Sequence, residues 1–272
     1  MIPVVIPAKN EKDNLKDTVN SLKETAKYAE EELFIVVVDD GSKDNTSEIA
    51  KELGCHVVNL PDRGYSALGM PELADTHNAG FKYIDENLDI NSYDYLMVVG
   101  ADTTFELNYI RILLEEMKKD DKLVVCGGVL NKIKTNHDAV RGSGRIIRNT
   151  FWTLEGRRVP NVFYSWESYP LVFANANGFK TRTVYSAIMH TPREPMAIVD
   201  WEKYGIAMKE NGSIFIYVFL RASKRLVKNR DFYGFYRMIY GYLFSSPILY
   251  DKKLRDFNSK RQLRKIFGFA KN

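Results

Sequence analysis

Two adjacent aspartates, Asp39 and Asp40, follow an all-apolar run of the chain. Neighbouring carboxylates repel each other unless a bound hydroxyl, amide or metal ion takes up their charge. Aspartates also begin turns and cap helices, and this is our interpretation of Asp44, which precedes a helical pattern. A capping role does not explain two carboxylates at the point where the apolar run stops. We therefore predict that Asp39 and Asp40 bind a ligand.

A third aspartate, Asp102, follows another apolar run at residues 95–99. Carboxylate oxygens are preferred ligands of hard divalent cations such as Mg2+ and Mn2+. A metal ion can contribute several kcal/mol to stabilising a diphosphate leaving group, against roughly 0.3–1 kcal/mol for a helix terminus. Asp102 is thus a candidate metal ligand. The alternative is a capping aspartate before the helical pattern that begins at Leu107.

Two further side chains are candidates for chemistry. Glu167 follows Trp166, and we expect partial burial beside the aromatic ring to suit this acid to general-base catalysis; the alternative is a first-turn helix glutamate, favoured by the helix dipole. His190 ends an apolar run and precedes a polar segment typical of a loop over a site, although a lone histidine is more commonly a partly buried structural residue. Residues 142–144, Gly-Ser-Gly, lack the third glycine of a dinucleotide-binding fingerprint.

The elements that must position these residues follow from the hydrophobic pattern. Apolar runs rich in Val and Ile predict buried strands, and stretches with one polar face predict helices. Their alternation indicates a mostly parallel sheet with helices on both faces, whose ligands bind at the carboxyl ends of the strands. The predicted strands are 2–6, 33–38, 56–58, 95–99, 123–126 and 183–189, and the predicted helices are 14–28, 46–53, 72–87, 107–119, 201–209, 215–227, 232–244 and 254–267. Aromatic-rich loops are expected at 141–152 and 164–169.

Length and composition bound the class of protein. The 272 residues suffice for one large domain or two small ones. Hydrophobic residues make up 45% and charged residues 27%, which excludes disordered, collagen-like and disulfide-scaffold proteins. Cys55 and Cys126 have no CxxC spacing, so we interpret them as buried apolar residues in a reducing compartment. Without a basic n-region at the N-terminus or an apolar stretch of ~18–20 residues, we expect a cytoplasmic protein.

The charge is unevenly distributed along the chain. Residues 221–272 carry 14 Lys plus Arg against 3 Asp plus Glu, a net charge of +11, whereas residues 1–220 carry 25 bases and 32 acids. This division indicates an acidic ligand-binding body with a basic segment that meets an anionic partner.

Several motifs, taken in order, resemble the N-terminal half of family 2 glycosyltransferases with the GT-A fold. They are residues 4–11 (Val-Val-Ile-Pro-Ala-Lys-Asn-Glu), 36–46 (Val-Val-Val-Asp-Asp-Gly-Ser-Lys-Asp-Asn-Thr), 63–65 (Arg-Gly-Tyr), 76–80 (Thr-His-Asn-Ala-Gly) and 98–103 (Val-Val-Gly-Ala-Asp-Thr). The last of these aligns with the metal-binding DxD segment of the family. The resemblance covers residues 1–130 well and weakens towards residue 195.

The resemblance implies roles for individual residues. The first motif and the paired aspartates would hold the base and ribose of a UDP- or GDP-linked sugar. Asp102 and His190 would bind Mg2+ or Mn2+ on the diphosphate. Glu167 would be the catalytic base. The full set of donor-binding candidates is Pro7, Ala8, Glu11, Asp39, Asp40, Ser42, Arg63, Asn78, Ala101 and Asp102. Gly100 replaces the first DxD aspartate, which implies weaker metal affinity or a catalytically degenerate protein that binds sugar nucleotides.

The basic segment also contains eleven aromatic residues, among them Phe232, Tyr236 and Tyr240. This composition is typical of interfacial helices on an anionic membrane, and each base close to such a surface contributes about 1 kcal/mol. The alternative is that the aromatic rings pack on the catalytic domain and the bases are merely solvated. No motif supports a nucleic-acid partner.

These observations combine into one hypothesis. Residues 1–197 form a GT-A catalytic domain, in which 1–130 bind the nucleotide sugar and 131–197 form the acceptor side, and residues 198–272 form a helical extension. The predicted activity is metal-dependent transfer of a sugar to an acceptor hydroxyl or lipid phosphate, with inversion. A retaining transferase remains an alternative, as does a non-catalytic binding protein; a nucleotidyltransferase would need a GxGxR segment that residues 7–11 do not supply. The expected location is cytoplasmic, with peripheral attachment to the inner membrane face.

Overall fold

The computed structural model describes residues 1–131, 140–193 and 200–268. One eight-stranded sheet runs through this part of the chain, and helices flank it. The strands are β1 (Ile2–Ala8), β2 (Leu33–Asp39), β3 (His56–Asn59), β4 (Tyr95–Val98), β5 (Thr104–Phe105), β6 (Leu123–Leu130), β7 (Arg145–Arg148) and β8 (Lys180–His190). The helices are α1 (Leu15–Tyr28), α2 (Thr46–Glu52), α3 (Leu73–Asn87), α4 (Tyr109–Lys118), α5 (Asn149–Glu155), α6 (Tyr169–Ala176), α7 (Trp201–Glu210), α8 (Phe215–Asn229), α9 (Phe232–Phe244) and α10 (Lys252–Phe267).

The strand order across the sheet is β3-β2-β1-β4-β7-β6-β8-β5. Strands β3, β2, β1 and β4 are parallel, β7 is antiparallel to both β4 and β6, and β8 returns parallel to β6. Of these, β1, β2 and β4 are largely buried on both faces, which explains why their sequences read as continuous apolar runs, whereas β3 is partly exposed. The sheet therefore brings the carboxyl ends of β1, β2 and β4 to one edge.

Helices bury a hydrophobic cluster against each face of the sheet. Leu15 and Val19 of α1 pack with Leu113 of α4 on one face, and Phe81 of α3 packs with Trp152 of α5 on the other. Helix α3 approaches the sheet closely because it carries Gly80, where a Cβ atom would lie 2.6 Å from a methyl group of Val5. Cys55 and Cys126 are buried thiols without a disulfide, as expected.

The C-terminal helices extend this architecture. Tyr250 and Leu254 belong to the same hydrophobic cluster as α3 and α5, so the predicted extension shares a core with the sheet. Helices α7 and α9 cross at Gly205 and Gly241, where an added Cβ would lie only 2.1–2.2 Å from the backbone of the other helix. The predicted boundary between residues 197 and 198 lies outside the described residues. In the described part of the chain, no helix combines the length and hydropathy needed to span a bilayer.

The segment predicted as loose loops is more regular than expected. Strand β7 and helix α5 occupy residues 145–155, and helix α6 follows a 3-10 turn at Trp166–Ser168. Strand β7 has arginines at both ends, and each donates to a carbonyl group distant in sequence: Arg148 Nη2 to Met117 O at 2.7 Å and Arg145 Nη1 to Glu167 O at 3.0 Å. Local hydrophobic periodicity carries no trace of such partners, which explains why the pattern did not predict this strand.

Candidate active site

The predicted donor-binding segments meet at the carboxyl edge of the parallel strands. Ala8 pairs with Asp39 at the ends of β1 and β2, and Val5 pairs with Val98 near the end of β4. Beyond β4, the carbonyl of Ala101 accepts a hydrogen bond of 2.9 Å from the Thr18 hydroxyl group. The sheet register thus places segments 7–11, 39–42 and 100–102 side by side.

Asp40 is buried and forms an ion pair. Its Oδ1 atom accepts a hydrogen bond of 2.9 Å from Arg63 Nε, and Arg63 also reaches Thr76 Oγ1 at 3.4 Å. Lys9 Nζ donates to the carbonyl oxygen of Asp40 at 2.7 Å and to Asp62 Oδ1 at 2.8 Å. The bond from Lys9 holds the pKa of Asp62 at about 2. These cations compensate the acidic groups at the end of β2.

The carboxylate of Asp39 closes the turn that follows β2. It accepts hydrogen bonds from the backbone N–H of Ser42 at 2.8 Å and from the hydroxyl group of Ser47. Gly41 in this turn has a φ of +73° and lies against the backbone of Asp62, so a side chain would not fit. Asp39 also lines a surface cavity of about 340 Å³ together with Ser47 and Asn59. The two adjacent aspartates therefore have different partners.

Glu11 and Asp102 share one cation, Arg193. Arg193 Nη2 lies 2.7 Å from Glu11 Oε2, and its Nη1 lies 3.5 Å from Asp102 Oδ2. Asp102 Oδ2 also accepts a hydrogen bond of 3.0 Å from Thr191 Oγ1, and Glu11 Oε2 accepts one of 2.9 Å from Asn14 Nδ2. The loop after β8 thus brings a guanidinium between carboxylates that follow β1 and β4.

Gly100 stands beside a serine of the Gly-Ser-Gly segment. Its backbone N–H donates to Ser143 Oγ at 2.8 Å, and that hydroxyl lies 2.8 Å from Thr103 Oγ1. A Cβ atom at position 100 would lie 3.2–3.4 Å from Thr103 Oγ1, Asp102 Oδ1 and Ser143 Oγ. A side chain at this position would therefore require these neighbours to shift by a few tenths of an ångström.

His190 lies at the end of β8, directly before the loop that reaches Asp102. Its Nε2 atom is 3.1 Å from Glu106 Oε1, whereas Asp102 contacts Thr191 and Arg193. No group of three or more His, Cys, Asp or Glu side chains suited to a metal ion occurs in residues 1–131, 140–193 and 200–268. In this structure His190 is thus paired with Glu106, and Asp102 with Thr191 and Arg193.

Glu167 lies in the 3-10 turn before α6 and is exposed. Its carboxylate faces Gly142, where a Cβ atom would lie 3.1–3.2 Å from the carboxylate atoms. Its backbone carbonyl accepts a hydrogen bond of 3.0 Å from Arg145 Nη1. The exposure differs from the partial burial expected beside Trp166, because the indole turns inward and donates to Met70 O at 3.2 Å.

Two buried ionisable side chains, Arg145 and Glu155, lie near Glu167. Arg145 donates to the carbonyls of Arg141 and Glu167, and burial lowers the pKa of its guanidinium. Both carboxylate oxygens of Glu155 are buried, and neither has a hydrogen-bond partner among the described residues. Burial raises the pKa of Glu155 to about 8, against the opposing charge of Arg145. Burial therefore favours the protonated form of Glu155.

The remaining predicted donor-binding residues have structural contacts. Asn78 exchanges two hydrogen bonds with the backbone of Val159, at 2.8 and 2.9 Å. Ala8 and Ala101 are buried in the hydrophobic cluster, and Ser42 Oγ accepts from Asn10 N at 2.8 Å. Pro7 is partly exposed at the end of β1. Of this group, Pro7 and Ser42 present surface at the carboxyl edge.

Sequence reasoning missed Glu210 of α7 as a contributor to the site. Glu210 is buried and accepts hydrogen bonds of 3.0 Å from the backbone N–H groups of Tyr164 and Ser165, and one of 2.8 Å from Ser165 Oγ. Tyr250 donates to the carbonyl of Ser165 at 2.8 Å. The C-terminal helices thus hold the segment that leads to Glu167. An acid inside an amphipathic helix gives no local signal of such a role.

Comparison with known sequences identifies relatives of this arrangement. Residues 4–165 match the sequence profile described as Glycosyl transferase family 2. The chain is 27% identical over 143 residues to the poly-beta-1,6-N-acetyl-D-glucosamine synthase of Staphylococcus aureus strain MSSA476, and equally to that of Staphylococcus epidermidis. The match covers 49% of this chain and 32% of each relative, so the chain spans about a third of the length of these curated relatives.

Solved structures share the fold at low sequence identity. S. aureus TarS 1-349 in complex with UDP-GlcNAc is 15% identical with a TM-score of 0.55, and the match covers 89% of this chain and 71% of that one. Mannosyltransferase PcManGT from Pyrobaculum calidifontis, in complex with GDP-Man and Mn2+, is 11% identical with a TM-score of 0.57, with 100% and 76% covered. The predicted GT-A fold, with its mostly parallel sheet and C-terminal helices, is confirmed.

Proposed function

Because the chain belongs to glycosyl transferase family 2, we propose that it transfers a sugar from a nucleoside-diphosphate sugar to an acceptor hydroxyl or lipid phosphate, with inversion at the anomeric carbon. The observation that carries the proposal is the convergence of Glu11, Asp102 and Arg193 beside the Asp40–Arg63 ion pair, at the carboxyl ends of parallel strands. Complexes of fold relatives with UDP-GlcNAc and GDP-Man support the donor class.

The donor would lie along the edge formed by β1, β2 and β4. The cavity beside Asp39 and Ser42 has a volume typical of small-ligand pockets and would accept the base. Asp40 and Glu11 would accept hydrogen bonds from the ribose hydroxyl groups. Arg193 would then meet the diphosphate, because a guanidinium binds phosphate oxygens in the same bidentate manner as carboxylate oxygens.

The residues present fit a divalent cation that is bound largely through the substrate. Mg2+ is commonly held by one or two carboxylates together with substrate phosphates and water, and Asp102 supplies one such carboxylate. Asp102 would hold the ion, and His190 would join it on exchanging its contact with Glu106. When bound, Mg2+ or Mn2+ would neutralise negative charge on the departing diphosphate.

The protein's own residues would carry out the transfer to a hydroxyl acceptor. Glu167 would take the proton from the acceptor hydroxyl as its oxygen attacks the anomeric carbon. A bond from that oxygen to carbon forms while the bond from carbon to the diphosphate oxygen breaks, on the opposite face of the sugar. Arg193 would hold the nucleoside diphosphate as it leaves. The exposure of Glu167 supports this role, since an acceptor can reach it directly.

Replacement of Asp102 tests the proposal. We expect Asp102→Asn to lower donor turnover about 100-fold or more, with little change in melting temperature, since a metal contributes several kcal/mol to such chemistry. Hydrolysis of UDP- and GDP-sugars would be measured with and without Mn2+, and melting temperatures would be measured with the same ligands. A donor at ~100 times its dissociation constant should add about 2.7 kcal/mol to the free energy of unfolding. Asp121→Asn, an exposed aspartate before β6, is the matched control.

The outcomes separate the alternatives. Unchanged turnover in Asp102→Asn contradicts the metal assignment. Donor stabilisation of the native chain without any turnover favours the second candidate function, a sugar-nucleotide-binding protein, for which Gly100 in place of an acidic residue is the specific observation. Absence of stabilisation by every donor contradicts both.

A further inference from the structure

Helix α9 presents an exposed face made of aromatic and apolar side chains. We call this surface the aromatic face. Within α9 it contains no charged residue, and its members are 40–72% exposed; they are Phe232, Tyr233, Tyr236, Tyr240, Leu243 and Phe244. Their rings form a row along the helix, with centroids 5.9 Å apart for Tyr236 and Tyr240 and 5.1 Å apart for Tyr240 and Phe244. Large exposed patches of this kind mark interaction sites.

The opposite face of α9 already has its partner. Gly234, Met238 and Gly241 are buried, and Gly241 lies against the backbone of Glu202 in α7. Packing within the described part of the chain therefore accounts for the inner face and leaves the aromatic face directed outward. The aromatic content of this segment thus serves two purposes, one inside the protein and one on its surface.

Helix α8 widens the surface. It runs antiparallel beside α9, since Phe215 lies 6.0 Å from Tyr242 and Phe219 lies 6.0 Å from Phe235, measured between ring centroids. Ile216, Leu220 and Val227 are 45%, 48% and 82% exposed, and their spacing of four and seven residues puts them on one side of α8. Val218 and Ala222 on the other side are buried. The two helices form an amphipathic hairpin.

The charges on this hairpin are almost all positive. Residues 215–249 contain six Lys plus Arg and a single acid, Asp231. Asp231 is engaged by Arg225 at 2.7 Å, and Arg237 is paired with Glu202 of α7. Arg221, Lys224 and Arg230 are exposed. An anionic partner is therefore favoured, and a second copy of the chain is disfavoured because it would bring the same charge to the contact.

We propose that the α8–α9 hairpin docks on an anionic lipid bilayer, with both helices lying in the interface and the aromatic face inserted. Tyrosine and phenylalanine suit this position because an amphipathic or apolar ring is favoured at the headgroup boundary, and the flanking bases are attracted to anionic lipids. The proposal is independent of the proposed function, since it rests on the hairpin and not on the donor site. It makes the protein peripheral on a membrane.

Vesicle sedimentation tests this surface with the full chain. We expect binding to vesicles of phosphatidylcholine and phosphatidylglycerol at a ratio of 7:3, and at least about tenfold weaker binding to pure phosphatidylcholine. Replacing Tyr236, Tyr240 and Phe244 together by Ser should weaken binding about tenfold or more, and replacing Arg221 and Lys224 by Gln should weaken it about tenfold on the anionic vesicles alone. The control replaces Tyr28 and Leu154, which are 44% and 59% exposed elsewhere, by Ser and should bind as the native chain does.

Each other outcome overturns the proposal. No binding of the native chain to anionic vesicles, or equal binding to neutral ones, contradicts it. A concentration-dependent dimer in sedimentation velocity that the triple Ser variant abolishes would assign the aromatic face to a second copy instead. Circular dichroism and melting temperature establish that each variant is folded, and the Arg221–Lys224 variant provides an independent reading should the Ser variant unfold.

Discussion

Glu167 is the side chain whose exposure matters most for the chemistry proposed. We expect Glu167→Gln to lower kcat on a hydroxyl acceptor about 100-fold or more, because an amide cannot take a proton and general-base catalysis contributes typically 10²–10⁴-fold. On a phosphate acceptor, which already carries a nucleophilic oxygen, the loss should be small. Both rates would be measured beside Glu86→Gln, an exposed glutamate on α3. Native kinetics of the variant on a proven hydroxyl acceptor would exclude Glu167 as the base.

The buried carboxyl group of Glu155 should make the free energy of unfolding depend on pH. Because burial raises its pKa in the folded protein from an ordinary 4.5 to about 8, the unfolded chain loses this proton first as pH rises. The stabilising contribution is complete below pH 4.5 and disappears as pH rises through about 8. We expect Glu155→Gln to raise the free energy of unfolding at pH 8.5 by roughly 2 kcal/mol and to change it little at pH 5.

The measurement for Glu155 is a pair of urea unfolding curves, at pH 5 and pH 8.5. The native chain and the variant are compared at the same pH because His77 also makes stability depend on pH. Burial lowers the pKa of its ring to about 4, so its contribution to the free energy of unfolding is lost as pH falls from 6.5 through about 4. Glu86→Gln again serves as the control. An equal effect of Glu155→Gln at both pH values would mean that Glu155 is ionised in the folded protein.

At the scale of elements, helix α7 and the 3-10 turn at Trp166–Ser168 are coupled through Glu210. We expect Glu210→Gln to lower the free energy of unfolding by about 1–3 kcal/mol, because one amide N–H must face a backbone donor. It should also lower kcat on a hydroxyl acceptor, since the segment before Glu167 loses its anchor. Asp256→Asn, exposed on α10, should stay within about 0.5 kcal/mol. A Glu210 variant with native stability would show that the hydrogen bond from Tyr250 to Ser165 is enough to hold the segment before Glu167.

The elements differ in how well local pattern predicts them. Four elements have nearly the predicted bounds: strands β1 and β2 and helices α1 and α9. A strand buried on both faces gives an unbroken apolar run, and a helix with one apolar face gives a helical period, so both are visible in the sequence. Strand β5 has only two residues, Thr104 and Phe105, and exists because β8 pairs with it. Helix α6 carries Pro170 in its first turn. In a sequence a proline indicates the end of a helix, whereas in this structure it lies at the start of one.

At the scale of the whole molecule, ordered motifs predicted the family and the fold, whereas contacts distant in sequence decide which site residues face a ligand. Asp102 and Glu11 both contact Arg193, which lies in the segment after His190 that the sequence pattern predicted as a loop over a site. Asn78, predicted to bind the donor, forms two hydrogen bonds with the backbone of Val159, which no local pattern indicates. A side chain's type indicates what it can bind, and only the assembled sheet determines which partner it meets.

The glycine crossing of α7 and α9 has a mechanical consequence. With no side chains between the two backbones at Gly205 and Gly241, there is nothing compressible to absorb a tilt of one helix against the other. A membrane that orients α9 would therefore orient α7 with it, together with the carboxylate of Glu210. The angle between the α8–α9 hairpin and the bilayer would then set the direction from which an acceptor reaches Glu167.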